Sequence, residues 1–198
     1  MAVKYTNRKG IEHHLYESIT KSGKLRYVFA RVPKGELVAS LPEGYVIREN
    51  VNGVVSLAKA VPAVLSDIEV AVVEREIRRH PKATEYRVEA KGPRITVYEN
   101  IGPDPAALAE LMISPFGGPG PTKEVAQRAR VLAQDLAQFS PVMRFVLTDK
   151  NARLFDAERM CYHSAVDGWL RVEFDSSLEQ LAQQLVPLLG TDEFFELF

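Results

Sequence analysis

Apolar and polar residues alternate with a period of two along much of this chain, in runs cut by Gly, Pro, Asn and Asp, so antiparallel hairpins are its main expected unit. IEHHLYESIT and LRYVFARV flank Ser22-Gly23 and predict a first hairpin. YVIREN and VVSLAKAV flank Asn52-Gly53 and predict a second, and YRVEA and ITVYE flank Lys91-Gly92-Pro93-Arg94 and predict a third. Residues 1–10 are polar and read as a frayed arm or an edge. A two-residue turn at Ser22-Gly23 places His14, Tyr16, Leu25, Tyr27, Phe29 and Arg31 on one face of the first hairpin. Leu15, Ile19, Val28, Ala30 and Val32 then share the other.

The strand PVMRFVLTD leads through a turn at Thr148 to Asn151 into Phe155 to Asp175, which holds the lone cysteine and the lone tryptophan. Asp167-Gly168 suits a type I′ turn, in which both central residues need positive φ. That register sets Val166 against Trp169, His163 against Val172 and Met160 against Asp175. Phe155, Ala157, Arg159, Cys161, His163, Leu170, Val172 and Phe174 then share an apolar face. The opposite face collects Asp156, Glu158, Glu173 and Asp175 with Tyr162 and Trp169.

Helices are marked by capping chemistry and a 3.6-residue period. Ser66 and Glu69 form a capping box opening a helix that Pro81 stops, and Asp104-Pro105 opens a short helix to about Leu111. Thr122 opens a helix to about Ser140, with Val125, Ala129, Leu132, Leu136 and Phe139 as its packing stripe. Ser176 with Glu179 opens another that Gly190 closes, and Thr191 caps a last turn. These elements predict an α+β fold: hairpin-built antiparallel sheets with three or four amphipathic helices. The expected division is 1–100, a β-rich half with one helix, then 101–121, a short helix and Pro/Gly-rich hinge, then 122–198, an α-β-hairpin-α half.

Composition adds compartment and charge. The 198 residues are 46% hydrophobic with one cysteine, so no intramolecular disulfide is expected, and MAVKYTNRKG lacks the apolar run of a signal peptide. No apolar run approaches bilayer length, so the expectation is a cytoplasmic protein without a membrane partner. Net charge is −1, but residues 1–100 carry 17 Lys and Arg against 12 Asp and Glu, and residues 101–198 carry 8 against 14. Lys4, Arg8, Lys9, Lys21, Lys24, Arg26, Arg31 and Lys34 crowd the first 34 residues, where Glu12 and Glu17 are the acids.

Three function classes follow. The first is a non-enzymatic binding or adaptor protein contacting nucleic acid through Lys21, Lys24, Arg26, Arg31, Tyr16, Tyr27 and Phe29, since bases stack on rings set among cations. The second is a small metal-assisted hydrolase holding a divalent cation on Asp156, Glu158, Glu173 and Asp175, ligands suited to Mg²⁺ or Ca²⁺. Cys161 and His163 invite a catalytic pairing, but their shared apolar face makes packing the simpler role, and it is opposite the carboxylates. The third is an obligate subunit of a protein assembly or a homo-oligomer, with Phe194, Phe195, Leu197 and Phe198 at the interface. The glycines at 117, 118 and 120 fail as a phosphate cradle, because the prolines remove N–H donors and Lys123 is misplaced for a P-loop. No motif names a cofactor or decides whether the chain is an enzyme.

Overall fold

In the computed structural model, which describes residues 2–113, 120–163 and 166–197, an Asn or Thr followed three residues later by Gly recurs at Asn7–Gly10, Thr20–Gly23 and Asn50–Gly53. Each copy is a hairpin turn. The glycine N–H donates to the carbonyl of the opening residue at 2.8, 2.9 and 3.0 Å, and the glycines take φ of +72°, +77° and +78°. Each opening side chain also accepts backbone N–H groups: Asn7 from Lys9 and Ile11, Thr20 from Lys24, Asn50 from Asn52 and Val54. These are three-residue loops with a left-handed closing residue, which add one residue to a two-residue turn.

They join β1 (Lys4–Thr6), β2 (Glu12–Ile19) and β3 (Leu25–Ala30) into a sheet of that order, and β4 (Tyr45–Glu49) to β5 (Val55–Lys59) as a separate hairpin. Residues 1–10 thus supply an edge strand, the second of the two expected alternatives, rather than a frayed arm. The extra turn residue also corrects the first hairpin's register: Leu15 lies opposite Phe29 and Tyr16 opposite Val28. A one-residue slip exchanges faces. Leu15, Phe29 and Tyr27 therefore face inward onto Val55, Ile47 and Leu57, while Tyr16 lies on the outer face with His14, Val28 and Ala30.

This first unit spans Met1–Pro62 and the second Ala63–Phe198. The division lies at Pro62 rather than at 101–121. The reason is sheet pairing: β6 (Tyr86–Lys91), β7 (Arg94–Asn100), β8 (Phe139–Asp149), β9 (Leu154–His163) and β10 (Val166–Ser177) form one antiparallel meander. Ile95 lies opposite Phe145 and Val97 opposite Met143, so the third expected hairpin belongs to the same sheet as the residues beyond the expected hinge. Residues 114–119 of that hinge lie outside the described residues.

Helices α1 (Asp67–Arg79) and α4 (Leu178–Leu185) pack on one face of this sheet. Val73, Ile77, Leu181, Ala182 and Leu185 meet Ile95, Val97, Met143, Phe145, Phe155 and Ala157 in a continuous core. The Ser66 capping box forms as expected, with Glu69 N–H donating to Ser66 Oγ at 3.3 Å and Ser66 N–H to Glu69 Oε2 at 2.8 Å. Glu69 also holds the Arg153 guanidinium, which reaches across from the β8–β9 turn. The fourth cap sits at Ser177 rather than Ser176.

The last hairpin departs from expectation at its turn. Asp167 and Gly168 lie within β10, opposite Tyr162 and Cys161, and the chain reverses between His163 and Val166. The new register moves partners by an even number of positions, so the face assignment survives up to Arg171. Irregularities between Arg171, Glu173 and Ser176 then interrupt it: Val172 is buried as expected, but Phe174 is 56% exposed. Helix α2 (Pro105–Leu111) packs against α3 (Lys123–Leu136). The face that α3 buries is Ala129 and Ala133, whereas Leu132 and Leu136 of the expected stripe are exposed. Helix α5 (Asp192–Phe195) returns the C-terminus to the core: Phe194 is buried and Leu197 packs beside it.

Two substitutions test these constraints. A Cβ on Gly35 would stand 2.0 Å from Glu17 O, a backbone atom that cannot swing away, so Gly35→Ala should destabilise the first unit by about 1–3 kcal/mol. Faster hydrogen exchange of the β2 amides is the expected readout. Ser66→Ala should cost about 1 kcal/mol and lower the denaturation midpoint, because it removes the side-chain acceptor of the Glu69 N–H and breaks the capping box.

Candidate nucleic-acid interface

The charge excess has a structural home. Residues 1–62 carry 10 Lys and Arg against 5 Asp and Glu, while residues 63–198 carry 15 against 21. Within the first unit several charges are already paired. Lys4 Nζ lies 3.1 Å from Glu12, and Arg8 Nε lies 2.9 Å from Glu49. Lys21, Lys24, Arg26, Arg31 and Lys34 are exposed, and none of the ion pairs found among the described residues involves them.

Three of these five cations, Lys21, Lys24 and Arg26, lie in or beside the β2–β3 turn. Lys21 sits in the β2–β3 turn, whose carbonyl at Lys24 accepts from Thr20 N–H, continuing the ladder. Side chains alternate along a strand, so Lys24 and Arg26 lie on the outer face, the face of Tyr16. After β3 the chain doubles back across that face. Gly35 lies against that face, where a Cβ would meet Tyr16 Cδ2 at 3.0 Å. The returning segment then runs along β2, with Glu17 N–H donating to Glu36 O at 2.8 Å and Val38 N–H to Leu15 O at 3.0 Å. Arg31 and Lys34 ride on this strap, with Glu36 the nearby acid.

The expected site residues therefore separate. Lys21, Lys24 and Arg26 lie in or beside the β2–β3 turn, whereas Arg31 follows Ala30 at the far end of β3 and Lys34 lies on the returning segment. None of the rings joins the turn cations. Phe29 is buried against Leu15, Tyr27 packs beside Tyr45 with centroids 6.5 Å apart, and Tyr16 is buried beneath the strap.

A polar clamp braces the unit. Glu49 accepts from Tyr5 Oη at 3.0 Å and from the Arg8 backbone N–H and Nε at 2.9 Å each, while Asn7 Nδ2 donates to Gly53 O at 2.7 Å. Burial pushes the Glu49 carboxyl up, but the Arg8 backbone N–H, the Tyr5 hydroxyl and the Arg8 guanidinium outweigh it and hold it below its ordinary value. The same donor-acceptor pair pushes the Tyr5 hydroxyl up.

The four carboxylates of the last hairpin are differently employed. Asp156 is buried, receives Arg171 Nε at 3.1 Å and accepts from Asp175 N–H at 3.0 Å, and Glu158 pairs with Arg144. Arg144 also stacks over Trp169, 4.1 Å from the ring centroid. Glu173 and Asp175 are exposed. Among the described residues no group of three or more His, Cys, Asp or Glu side chains is placed to hold a metal ion. The side chain of His163 lies outside the described residues, so the Cys161 pairing does too.

At one end of the second sheet a polar cleft of about 500 Å³ is lined by residues including Lys82, Glu85, Glu99, Asn100 and Asp104. Its acids are bracing groups: Glu99 accepts from Tyr86 Oη at 3.2 Å and Glu85 from Asn100 Nδ2 at 3.2 Å. Burial, then the charge and hydrogen bond of Glu99, push the Tyr86 hydroxyl far up. Of the expected C-terminal interface, Phe194 is core, Leu197 is partly buried with its carbonyl accepting from Arg159 Nε at 2.8 Å, and Phe195 is 59% exposed. Phe198 lies outside the described residues. No described helix is long and apolar enough to cross a membrane.

The depressed Glu49 value carries a pH prediction. A carboxyl held low by folding contributes stability above its unfolded value of about 4.3, and that contribution fades as pH falls through the folded value. Urea midpoints of the native chain and Glu49→Gln should therefore differ most at pH 7 and converge toward pH 3, with the native chain the more stable at neutrality. No protein-family model, curated protein or solved structure matches this chain.

Proposed function

We propose that this is a non-enzymatic nucleic-acid-binding protein that engages phosphates through the outer face of its first unit. The observation that supports the reading is a set of exposed cations, Lys21, Lys24, Arg26, Arg31 and Lys34, without ion-pair partners among the described residues, in a unit with a twofold excess of cations. Cations so placed release counterions from a phosphate backbone, which supplies sequence-independent affinity.

A second reading, a subunit of a protein assembly, is favoured by the α2–α3 pair. Leu111 is 81% exposed and Leu136 51%, with Val131 and Leu132 beside it on α3. Apolar side chains concentrated on one helical pair favour contact with protein. Sedimentation of the chain as a monomer at tens of micromolar would count against self-association through them.

The nucleic-acid reading is tested by anisotropy with labelled DNA and RNA. Five phosphate contacts give an expected log-log salt slope of about −4 to −5 on a duplex, a loss of roughly 500-fold between 50 and 200 mM salt. Reversing Lys24, Arg26 and Arg31 to Glu should reduce the slope to about −2 or abolish binding. A native slope near zero would remove the reading.

A further inference from the structure

We infer that the ligand of this surface is a nucleic-acid duplex gripped by its phosphates, not a single strand held by base stacking; this rests on the nucleic-acid reading above. The argument is the separation of rings from cations. Phe29 and Tyr27 are on the inner face, opposite to Lys24 and Arg26, and Tyr16, although on the outer face, is only 7% exposed beneath the strap at Gly35. His14, the remaining outer-face ring of the hairpin, has Nε2 3.3 Å from the Glu12 carboxylate. A base approaching the outer face therefore meets Lys and Arg side chains, Val28 and Ala30, and no open aromatic plane among the site residues.

Proteins that hold single strands draw about 1–3 kcal/mol per base from stacking, and that contribution needs exposed rings beside the cations. Without it, affinity follows phosphate density alone. A duplex presents one charge per about 1.7 Å of axis, both strands counted, so Lys and Arg side chains with no open rings beside them find more partners on a duplex than on a flexible strand. Lys24 and Arg26 lie two residues apart on one strand face, about 6.8 Å, with Lys21 in the adjoining turn. Nothing in this surface reads a base edge by design, so sequence dependence is expected to be slight.

The experiment compares the full chain's affinity for a 20-base-pair DNA duplex of mixed sequence, a second duplex of different sequence, and each of the four separated strands, at 50 and 200 mM salt. The expected result is duplex binding at least about fivefold tighter than to any strand, equal within about twofold between the duplexes, with slopes near −4.5 for duplex and shallower for strands. Single strands bound as tightly as duplex, or affinity that persists for them at 200 mM salt, would overturn the duplex inference while leaving the nucleic-acid reading in place. Strong discrimination between the two duplexes would overturn it as well. No binding to any of these probes at 50 mM salt would overturn the nucleic-acid reading itself.

Discussion

Positive φ at three glycines decides the surface chemistry of the first unit. Gly10, Gly23 and Gly53 each close a turn whose opening Asn or Thr side chain satisfies the N–H groups that the loop leaves over. A β-branched residue at any of the three would be forced into a left-handed conformation that it strongly disfavours. Register follows from the turn, and face follows from register. Had the β2–β3 loop contained two residues, Tyr16 would have shared a face with Tyr27 and Phe29. With three, Leu15 takes that place and enters the core opposite Phe29, while Arg26 stays on the other side of β3 in either register.

The second unit depends on a different device. Its sheet is covered on one side by α1 and α4, and the charged pair of Glu69 and Arg153 anchors the start of α1 to the β8–β9 turn. Glu69 thereby serves twice, as the third residue of a capping box and as the receptor for a guanidinium. Its carboxyl is pushed up by burial and held low overall by Arg153 and Ser66. Arg75 ties the same helix sideways to Glu179 of α4 at 2.8 Å, so the helical layer is stitched together at its solvent edge as well as through Val73 and Leu181.

Most elements were legible because their signals are local. The Ser66 and Asp104 caps, the Thr191 turn and the strands flanking Gly92-Pro93 each need only a few residues, and each stands where its residues placed it. Turn length was harder. Ser22-Gly23 and Asn52-Gly53 carry the dipeptide of a two-residue turn, and only the Thr20 and Asn50 side chains, three residues before each glycine, distinguish the longer loop. Asp167-Gly168 shows the converse, a turn dipeptide absorbed into a strand by pairing with Tyr162 and Cys161. The domain boundary was not legible from Pro and Gly content, because it is decided by β7 pairing with β8 across residues 101–138, a long-range fact. The candidate interface was half legible: charge can be read from composition, whereas the strap that buries Tyr16 requires Gly35 to reach Glu17.

Strands β7 and β8 are neighbours in a meander whose other connections are short, yet residues 101–138 intervene between them, carrying α2 and α3. Closing a loop of that length costs about 2 kcal/mol more in chain entropy than closing one of four residues. The pairing of Ile95 with Phe145 therefore carries a closure cost that the neighbouring hairpins do not share. Among the described residues the excursion buries Ala109, Ala129 and Ala133, small side chains that return little packing energy to the sheet that carries it.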